Sequence, residues 1–181
     1  KECDWSSDVC SSDLATMTLR EKIGQMLMVD IPGATLDETL RAQLNSGDYG
    51  NVLLLGRNIV DEDQTRLLIH ELQTNAKVRT GVPLLVAVDQ EGGLVNRVGP
   101  LTHLKTTRFS ARTIGQVFEF DPARAGKILA SVTGELARRM KDLGFNMNLA
   151  PVLDVTDDQQ SFIYDRSYGG DPDTVSLVSD R

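Results

Sequence analysis

The sequence predicts an α/β fold built around a parallel β-sheet. Short apolar runs rich in β-branched residues alternate with amphipathic segments of helical spacing, which is typical of βαβ units. The most apolar run, residues 83–88, ends abruptly in Asp89. A strand buried on both faces gives such a run, and parallel folds place their polar sites at the carboxyl ends of strands. We therefore expect the functional site to begin at Asp89.

The predicted strands are short and are closed by turn residues. On the last of them, Asn146 and Asn148 fall on one face, because side chains alternate along a strand. The predicted strands cover residues 26–31, 51–55, 83–88 and 145–153.

The predicted helices lie between these strands and after the last one. Leucines at 36, 40 and 44 repeat every four residues, and Gly47 stands in the stop position. Asp121 and Pro122 provide a capping side chain and a first-turn proline, and Gly144 ends that helix. Residues between the third strand and Asp121 are interpreted as a long loop. The predicted helices cover 18–25, 36–46, 61–78 (apolar side Leu67, Leu68, Ile69 and Leu72), 122–143 and 171–178.

The first fourteen residues stand apart from this pattern. They repeat Ser-Ser-Asp, hold both cysteines and the single tryptophan, and show no periodicity. They lack the basic start and long apolar core of a secretory signal and resemble translated sequencing-adapter read-through, with a native extension as the alternative. We expect residues 1–14 to be a non-native leader with few contacts and no regular structure, and residues 15–181 to form the domain.

Composition and charge disfavour several classes of partner. Outside residues 1–14, 18 basic and 22 acidic residues leave a net charge of −4, which disfavours nucleic acid and anionic membranes. No apolar stretch approaches the roughly 18 residues of a membrane span. With Cys3 and Cys10 set aside, no thiol remains, and His70 and His103 show no metal-ligand spacing. We expect neither a metal nor a cofactor.

Three motifs follow one another between Val88 and Gly169. They read VDQEGG at 88–93 with VNR at 95–97, GFNMNLAPVLDV at 144–155 and DRSYG at 165–169. Together they resemble the N-terminal domain of family 3 glycoside hydrolases, close to the bacterial β-N-acetylhexosaminidases. The resemblance implies a TIM-type (β/α)8 barrel that removes terminal β-linked N-acetylglucosamine with retention, through an aspartate nucleophile.

The resemblance implies that Asp89, Arg97 and Arg166 bind the substrate sugar. A carboxylate accepts hydrogen bonds from sugar hydroxyls, and a guanidinium fork suits hydroxyl pairs or a carboxylate such as the lactyl acid of a muramyl residue. The alternative for Asp89 is a carboxylate that only stabilises a loop or caps a helix. The paired glycines 92 and 93 favour a ligand site, because a backbone without Cβ atoms can turn sharply or approach a ligand. We expect the three side chains to converge on one mouth of the sheet.

Three further residues are candidates for supporting roles. Glu91 could bond loop amides or touch the ligand, Asn148 could serve packing or function, and Asp154 could meet substrate, although loop support is favoured. Leu94 stands where relatives often carry arginine, so an ion pair of that arginine is missing here.

The family's catalytic groups have no counterpart in these 181 residues. Neither the Lys-His-Phe-Pro-Gly-His-Gly loop with the acid/base histidine nor the later Asp-Asp segment with the nucleophile is present, so we expect both beyond Arg181. Asp89 and Glu91 are rejected as a retaining pair, since such carboxylates must flank the scissile bond from opposed positions. A full barrel needs about 250 residues. We expect a barrel truncated after about four strands and inactive alone.

The expected function is therefore that of a glycosidase fragment. Its parent would act on a carbohydrate, an N-acetylglucosaminide or a muropeptide, in peptidoglycan recycling. The expected location is the cytoplasm, with the periplasm or cell envelope as the alternative. A β-glucosidase or β-xylosidase of the same family, a non-catalytic carbohydrate-binding domain and an unrelated open α/β sheet are the alternatives.

Overall fold

The computed structural model describes residues 14–102 and 105–180. The described chain divides into two compact units. The first runs to Ala87 and includes Leu143–Met147, and the second comprises Val88–Asp142 and the chain from Asn148 onward. The expected leader lies outside the described residues except for Leu14, which is in a helical turn and is 54% exposed.

Four short strands form one sheet in the order β1-β2-β3-β4. β1 and β2 pair in parallel, with Val29 opposite Val52. Val88 and Asn148, the last residues of β3 and β4, begin the two segments of the second unit. The strands are β1 (Met28–Asp30), β2 (Asn51–Leu54), β3 (Leu85–Val88) and β4 (Met147–Asn148).

The first unit contains helices α1 (Leu19–Gln25), α2 (Glu38–Asn45) and α3 (Glu62–Thr80). Each begins at a polar cap, because the first backbone N–H groups of a helix have no partner within it. The caps are Thr18, Asp37 and Asp61, whose side chains accept from the backbone N–H groups of Glu21, Leu40 and Gln64.

The predicted apolar side of α3 is correct in part. Leu68, Ile69 and Leu72 are buried, whereas Leu67 is 60% exposed. Four consecutive or near-consecutive apolar residues span more of a helix than the stripe that faces the sheet, so one of them points outward.

The second unit contains two helices that the sequence interpretation missed. The predicted long loop before Asp121 includes α4 (Gly99–Thr102) and α5 (Ala111–Phe120). Gly115 lowers the helix propensity of α5, and a Cβ atom at that position would collide with the carbonyl oxygen of Tyr168. Ser110 is a typical N-cap residue and could have predicted the start of α5. In the structure its hydroxyl accepts from the backbone N–H of Thr113 at 3.2 Å.

Helices α6 (Pro122–Leu143) and α7 (Pro172–Ser179) match their predicted positions closely. Phe118 of α5, Ala125 of α6 and Val178 of α7 form a buried cluster. Ile114, Leu129 and Tyr168 pack against this cluster.

The fourth predicted strand is much shorter than expected. Only Met147–Asn148 is strand, not 145–153. The backbone N–H of Leu149 still donates to the carbonyl of Val88 at 2.9 Å, but Pro151 has no N–H to continue a ladder. No helix within residues 14–102 and 105–180 is long and apolar enough to cross a membrane.

Candidate functional site

Two carboxylates follow the end of β3, and each meets an arginine. The Asp89 carboxylate accepts from Arg97, with 3.1 Å from Nε to Oδ1 and 3.0 Å from Nη2 to Oδ2. The Glu91 carboxylate accepts from Arg166, with 2.8 Å from Nε to Oε2 and 2.7 Å from Nη2 to Oε1. Both contacts are bidentate forks, the strongest geometry for this pair of groups.

The two forks belong to one electrostatic cluster. Hydrogen bonding to Asp89 raises the pKa of Arg97, and the charge of Glu91 raises it further. Hydrogen bonding to Glu91 raises the pKa of Arg166, with added contributions from the charges of Asp154 and Asp89. The structure thus brings Asp89, Arg97 and Arg166 together with Glu91 in one charged cluster.

Burial differs within the cluster. The Glu91 side chain is 8% exposed, whereas those of Asp89, Arg166 and Arg97 are 23%, 26% and 32% exposed. A guanidinium carries five N–H donors, and a fork uses two of them. Each arginine therefore keeps donors for a further acceptor, while Glu91 serves as the buried support of Arg166.

Gln90 organises the loop between the two carboxylates, and the sequence interpretation did not single it out. It is 2% exposed, and its Oε1 accepts from the backbone N–H groups of Val98 at 2.8 Å and Gly99 at 3.3 Å. Its Nε2 donates to Oδ1 of Asn96 at 2.9 Å. These contacts flank Arg97 on both sides, so the buried amide places Arg97 opposite Asp89. In the sequence, the only indication of this role is that an uncharged glutamine stands between the carboxylates of Asp89 and Glu91.

The paired glycines form the turn that separates the two forks. Gly92 and Gly93 have φ of +91° and +56°, a region that favours glycine. The backbone N–H groups of Glu91 and Gly92 both donate to the carbonyl of Val95 at 3.0 Å. A Cβ atom on Gly93 would lie 2.8 Å from Cα of Ser110, so this loop approaches the start of α5 closely.

The supporting residues have distinct places. Oδ1 of Asn148 accepts from the backbone N–H of Gln90 at 3.0 Å, and its Nδ2 donates to the Gln90 carbonyl at 3.2 Å, so Asn148 holds the loop. Asp154 is exposed and acts electrostatically on Arg166. Glu91 binds Arg166 through its carboxylate, whereas the roles expected from the sequence were bonds to loop amides or contact with the ligand. Leu94, at the tip of the turn, is 70% exposed.

Burial also affects the phenol of Tyr168, which lies near Glu91. It raises the pKa of Tyr168, and the nearby charge of Glu91 raises it further. Within the described residues, no group of three or more histidine, cysteine, aspartate and glutamate side chains could hold a metal ion. His70 is exposed on α3, and His103 lies outside the described residues.

Comparison with known proteins identifies the family. The sequence model described as "Glycosyl hydrolase family 3 N terminal domain" matches residues 18–181. The chain belongs to glycosyl hydrolase family 3. This family 3 chain is 35% identical over 154 residues to a β-hexosaminidase of Nitrosomonas eutropha and 34% identical over 155 residues to one of Chromobacterium violaceum. The alignments cover 84% and 85% of this chain but only 42% and 41% of those proteins.

Solved structures confirm the barrel-type α/β fold. A β-N-acetylglucosaminidase of family 3 from a Paenibacillus species superposes with a TM-score of 0.74 at 27% identity, covering 90% of this chain and 30% of that one. NagZ from Neisseria gonorrhoeae, in complex with N-trifluoroacetyl-D-glucosamine, superposes with a TM-score of 0.72 at 28% identity, covering 84% and 44%. The family 3 chain therefore spans less than half the length of these relatives, and its four strands and helices correspond to part of a barrel.

Proposed function

We propose that this family 3 chain contributes the sugar-binding side of a retaining glycoside hydrolase that removes terminal β-linked N-acetylglucosamine. The observation that carries the proposal is the pair of forks, Asp89 with Arg97 and Glu91 with Arg166, at the carboxyl end of β3. The names of the relatives, β-hexosaminidase and β-N-acetylglucosaminidase, support the same reaction.

Each residue of the cluster has a role in this proposal. Asp89 accepts hydrogen bonds from sugar hydroxyls, and Arg97 and Arg166 donate from the N–H groups outside their forks. Glu91 fixes the orientation of Arg166 from its buried position. Asn148 holds the loop, and Asp154 assists Arg166 through its charge.

Neither Asp89 nor Glu91 is proposed as nucleophile or acid. They stand two residues apart on one loop and each is engaged by an arginine, whereas a retaining pair faces the scissile bond from two sides. The proposed nucleophilic aspartate and acid/base histidine lie beyond Arg181 in the whole protein. The proposed substrate is an N-acetylglucosaminide or a muropeptide, cleaved in the cytoplasm during peptidoglycan recycling.

The test compares the 181-residue chain with a polypeptide extended by the native gene downstream of Arg181, on a chromogenic β-N-acetylglucosaminide. We expect turnover only by the extended protein. In that protein, Asp89→Asn should lower kcat/KM by about a hundredfold, because a charged acceptor to the sugar is lost. Asp63→Asn, on the exposed face of α3, is the matched control and should leave kcat/KM unchanged.

Other outcomes would redirect the proposal. Faster cleavage of a β-glucoside or β-xyloside would assign another specificity of the family. Sugar binding without turnover by the extended protein would favour a non-catalytic carbohydrate-binding domain. Turnover by the 181-residue chain, abolished by Asp89→Asn, would show that the acid and nucleophile lie within it.

A further inference from the structure

Arg112 is a buried guanidinium that is outside the proposed sugar site. It lies on α5, and its side chain is 10% exposed. Its Nε donates to the carbonyl of Tyr164 at 3.4 Å, its Nη1 to Oδ1 of Asp157 at 3.3 Å, and its Nη2 to the carbonyl of Thr156. The guanidinium carbon lies 4.2 Å from the centre of the Tyr164 ring, a cation–π arrangement.

These contacts reach both ends of one segment. Thr156 follows Asp154 by two residues, and Tyr164 precedes Arg166 by two residues. Tyr164 also begins the 3-10 turn Tyr164–Arg166, so its position sets the start of the Arg166 side chain. Arg112 therefore holds the segment 154–166 at the two points from which Asp154 and Arg166 reach the charged cluster.

Helix α5 is itself tied to the loop after β3. The backbone N–H of Gly93 donates to the carbonyl of Thr107 at 2.9 Å, and Gly93 lies against Ser110, the cap of α5. The helix thus contacts the loop that carries Glu91 at one point and the segment that carries Arg166 at another. Arg112 supplies hydrogen bonds from α5 to the second of these.

We infer that Arg112 is a positioning residue that sets Arg166 against Glu91. Lysine cannot replace it, because an ammonium has no planar fork to bond two carbonyls while stacking on a ring. The consequence of this positioning role for sugar binding rests on the proposed function. The effect of Arg112 on the Glu91–Arg166 fork does not.

The test follows the side-chain Nε–H signals of Arg166 and Arg97 by NMR in the 181-residue chain. Each Nε–H is held by its own carboxylate, Glu91 or Asp89. In Arg112→Lys, solvent exchange of the Arg166 Nε–H should accelerate about tenfold, the effect of weakening one hydrogen-bonded contact. Exchange of the Arg97 Nε–H should stay within twofold of wild type. A general loss of stability would accelerate both signals, so the difference separates positioning from folding.

Two variants complete the experiment. Arg138→Lys changes an arginine that is 68% exposed on α6 and should move neither signal. Tyr164→Leu removes the ring beneath Arg112 and should accelerate Arg166 exchange by about threefold, a smaller effect than that of Arg112→Lys. It also supplies the decisive measurement should Arg112→Lys fail to fold. Equal acceleration at Arg97 and Arg166, or no change at Arg166, would overturn the inference.

A titration of the extended protein with N-acetylglucosamine separates this inference from the proposed function. If wild type binds the sugar, Arg112→Lys should weaken binding by about tenfold, because Arg166 is displaced. If wild type does not bind while the Arg166 signal still responds selectively to Arg112→Lys, the proposed sugar role of the cluster fails and the positioning role of Arg112 stands.

Discussion

The two forks at the end of β3 have nearly the same geometry but very different origins. Asp89 and Arg97 are eight residues apart and lie in one loop, where the buried amide of Gln90 holds the residues on either side of Arg97. Glu91 and Arg166 are 75 residues apart. The first fork is complete as soon as its own loop is formed, whereas the second requires a distant segment to be placed against it.

The difference in sequence separation has a calculable consequence. Loop-closure entropy grows with the logarithm of loop length, about 0.6 kcal/mol for each doubling. Going from eight to 75 residues is about three doublings, so bringing the second pair together costs roughly 2 kcal/mol more. Contacts such as those of Arg112 and the close approach of Gly115 to Tyr168 offset this cost. The long-range fork should therefore be the more sensitive to changes elsewhere in the second unit.

The largest effect is expected for Gly115→Ala, which should disturb the long-range fork, Glu91 with Arg166, from its position on α5. The added Cβ would collide with the backbone carbonyl of Tyr168, two residues after Arg166, and backbone cannot move aside as a side chain can. We expect a loss of about 3 kcal/mol in the free energy of unfolding, measured by urea denaturation.

Gly126→Ala on α6 is the matched control for that change. Its added Cβ would come no closer than 4.0 Å to the ring of Phe118, so alanine should stabilise the helix by about 0.5 kcal/mol. Equal effects of the two substitutions would show that helix propensity, not the contact with Tyr168, governs Gly115.

Gln90→Met should instead disturb the local fork, Asp89 with Arg97. Methionine has a similar volume, but it leaves the backbone N–H groups of Val98 and Gly99 without the acceptor that Oε1 supplies. We expect a loss of about 2 kcal/mol in unfolding free energy and faster solvent exchange at the Arg97 Nε–H than at the Arg166 Nε–H. Gln116→Met, on the exposed face of α5, should change neither quantity. Selective loosening of Arg166 by Gln90→Met would contradict the division into local and long-range forks.

A smaller effect is expected for Glu91→Gln, which keeps the shape of the long-range fork and removes its charge. Arg166 loses a charge-assisted contact but keeps partial access to solvent, so the loss should be about 1 to 2 kcal/mol. Glu135→Gln, in an exposed ion pair on α6, should change thermal stability by less than the measurement error. Equal melting temperatures for Glu91→Gln and wild type would mean that the buried carboxylate adds nothing beyond hydrogen bonding.

The smallest effect concerns alkaline pH. Burial raises the pKa of Tyr168 above the value of an unfolded tyrosine, about 10. The folded state therefore holds this proton more tightly, and the resulting stability is complete below about pH 10 and is lost as pH rises through the folded pKa. Melting temperatures of wild type should fall more steeply above pH 10 than those of Tyr168→Phe. If the melting temperatures of the two proteins fell in parallel above pH 10, ionisation of Tyr168 would not contribute to the loss of stability.

Local patterns in the sequence determined a large part of the fold. Helix starts were readable at Asp61, Asp121 and Asp171, because capping depends on one side chain and the N–H groups two or three residues later. The end of β3 at Asp89 was readable because an apolar run stops there. The family was readable from motifs that stand at fixed places along the chain, and the match to residues 18–181 confirms it.

Tertiary structure alone decided how the site is assembled. That Glu91 would bind Arg166, rather than loop amides, depends on the placement of a segment 75 residues away. The tolerance for Gly115 in the middle of α5 depends on the backbone of Tyr168, and the loop-holding role of Asn148 depends on its bonds to the backbone of Gln90. These contacts join residues that are distant in sequence, and periodicity and capping report only on neighbours within a few residues.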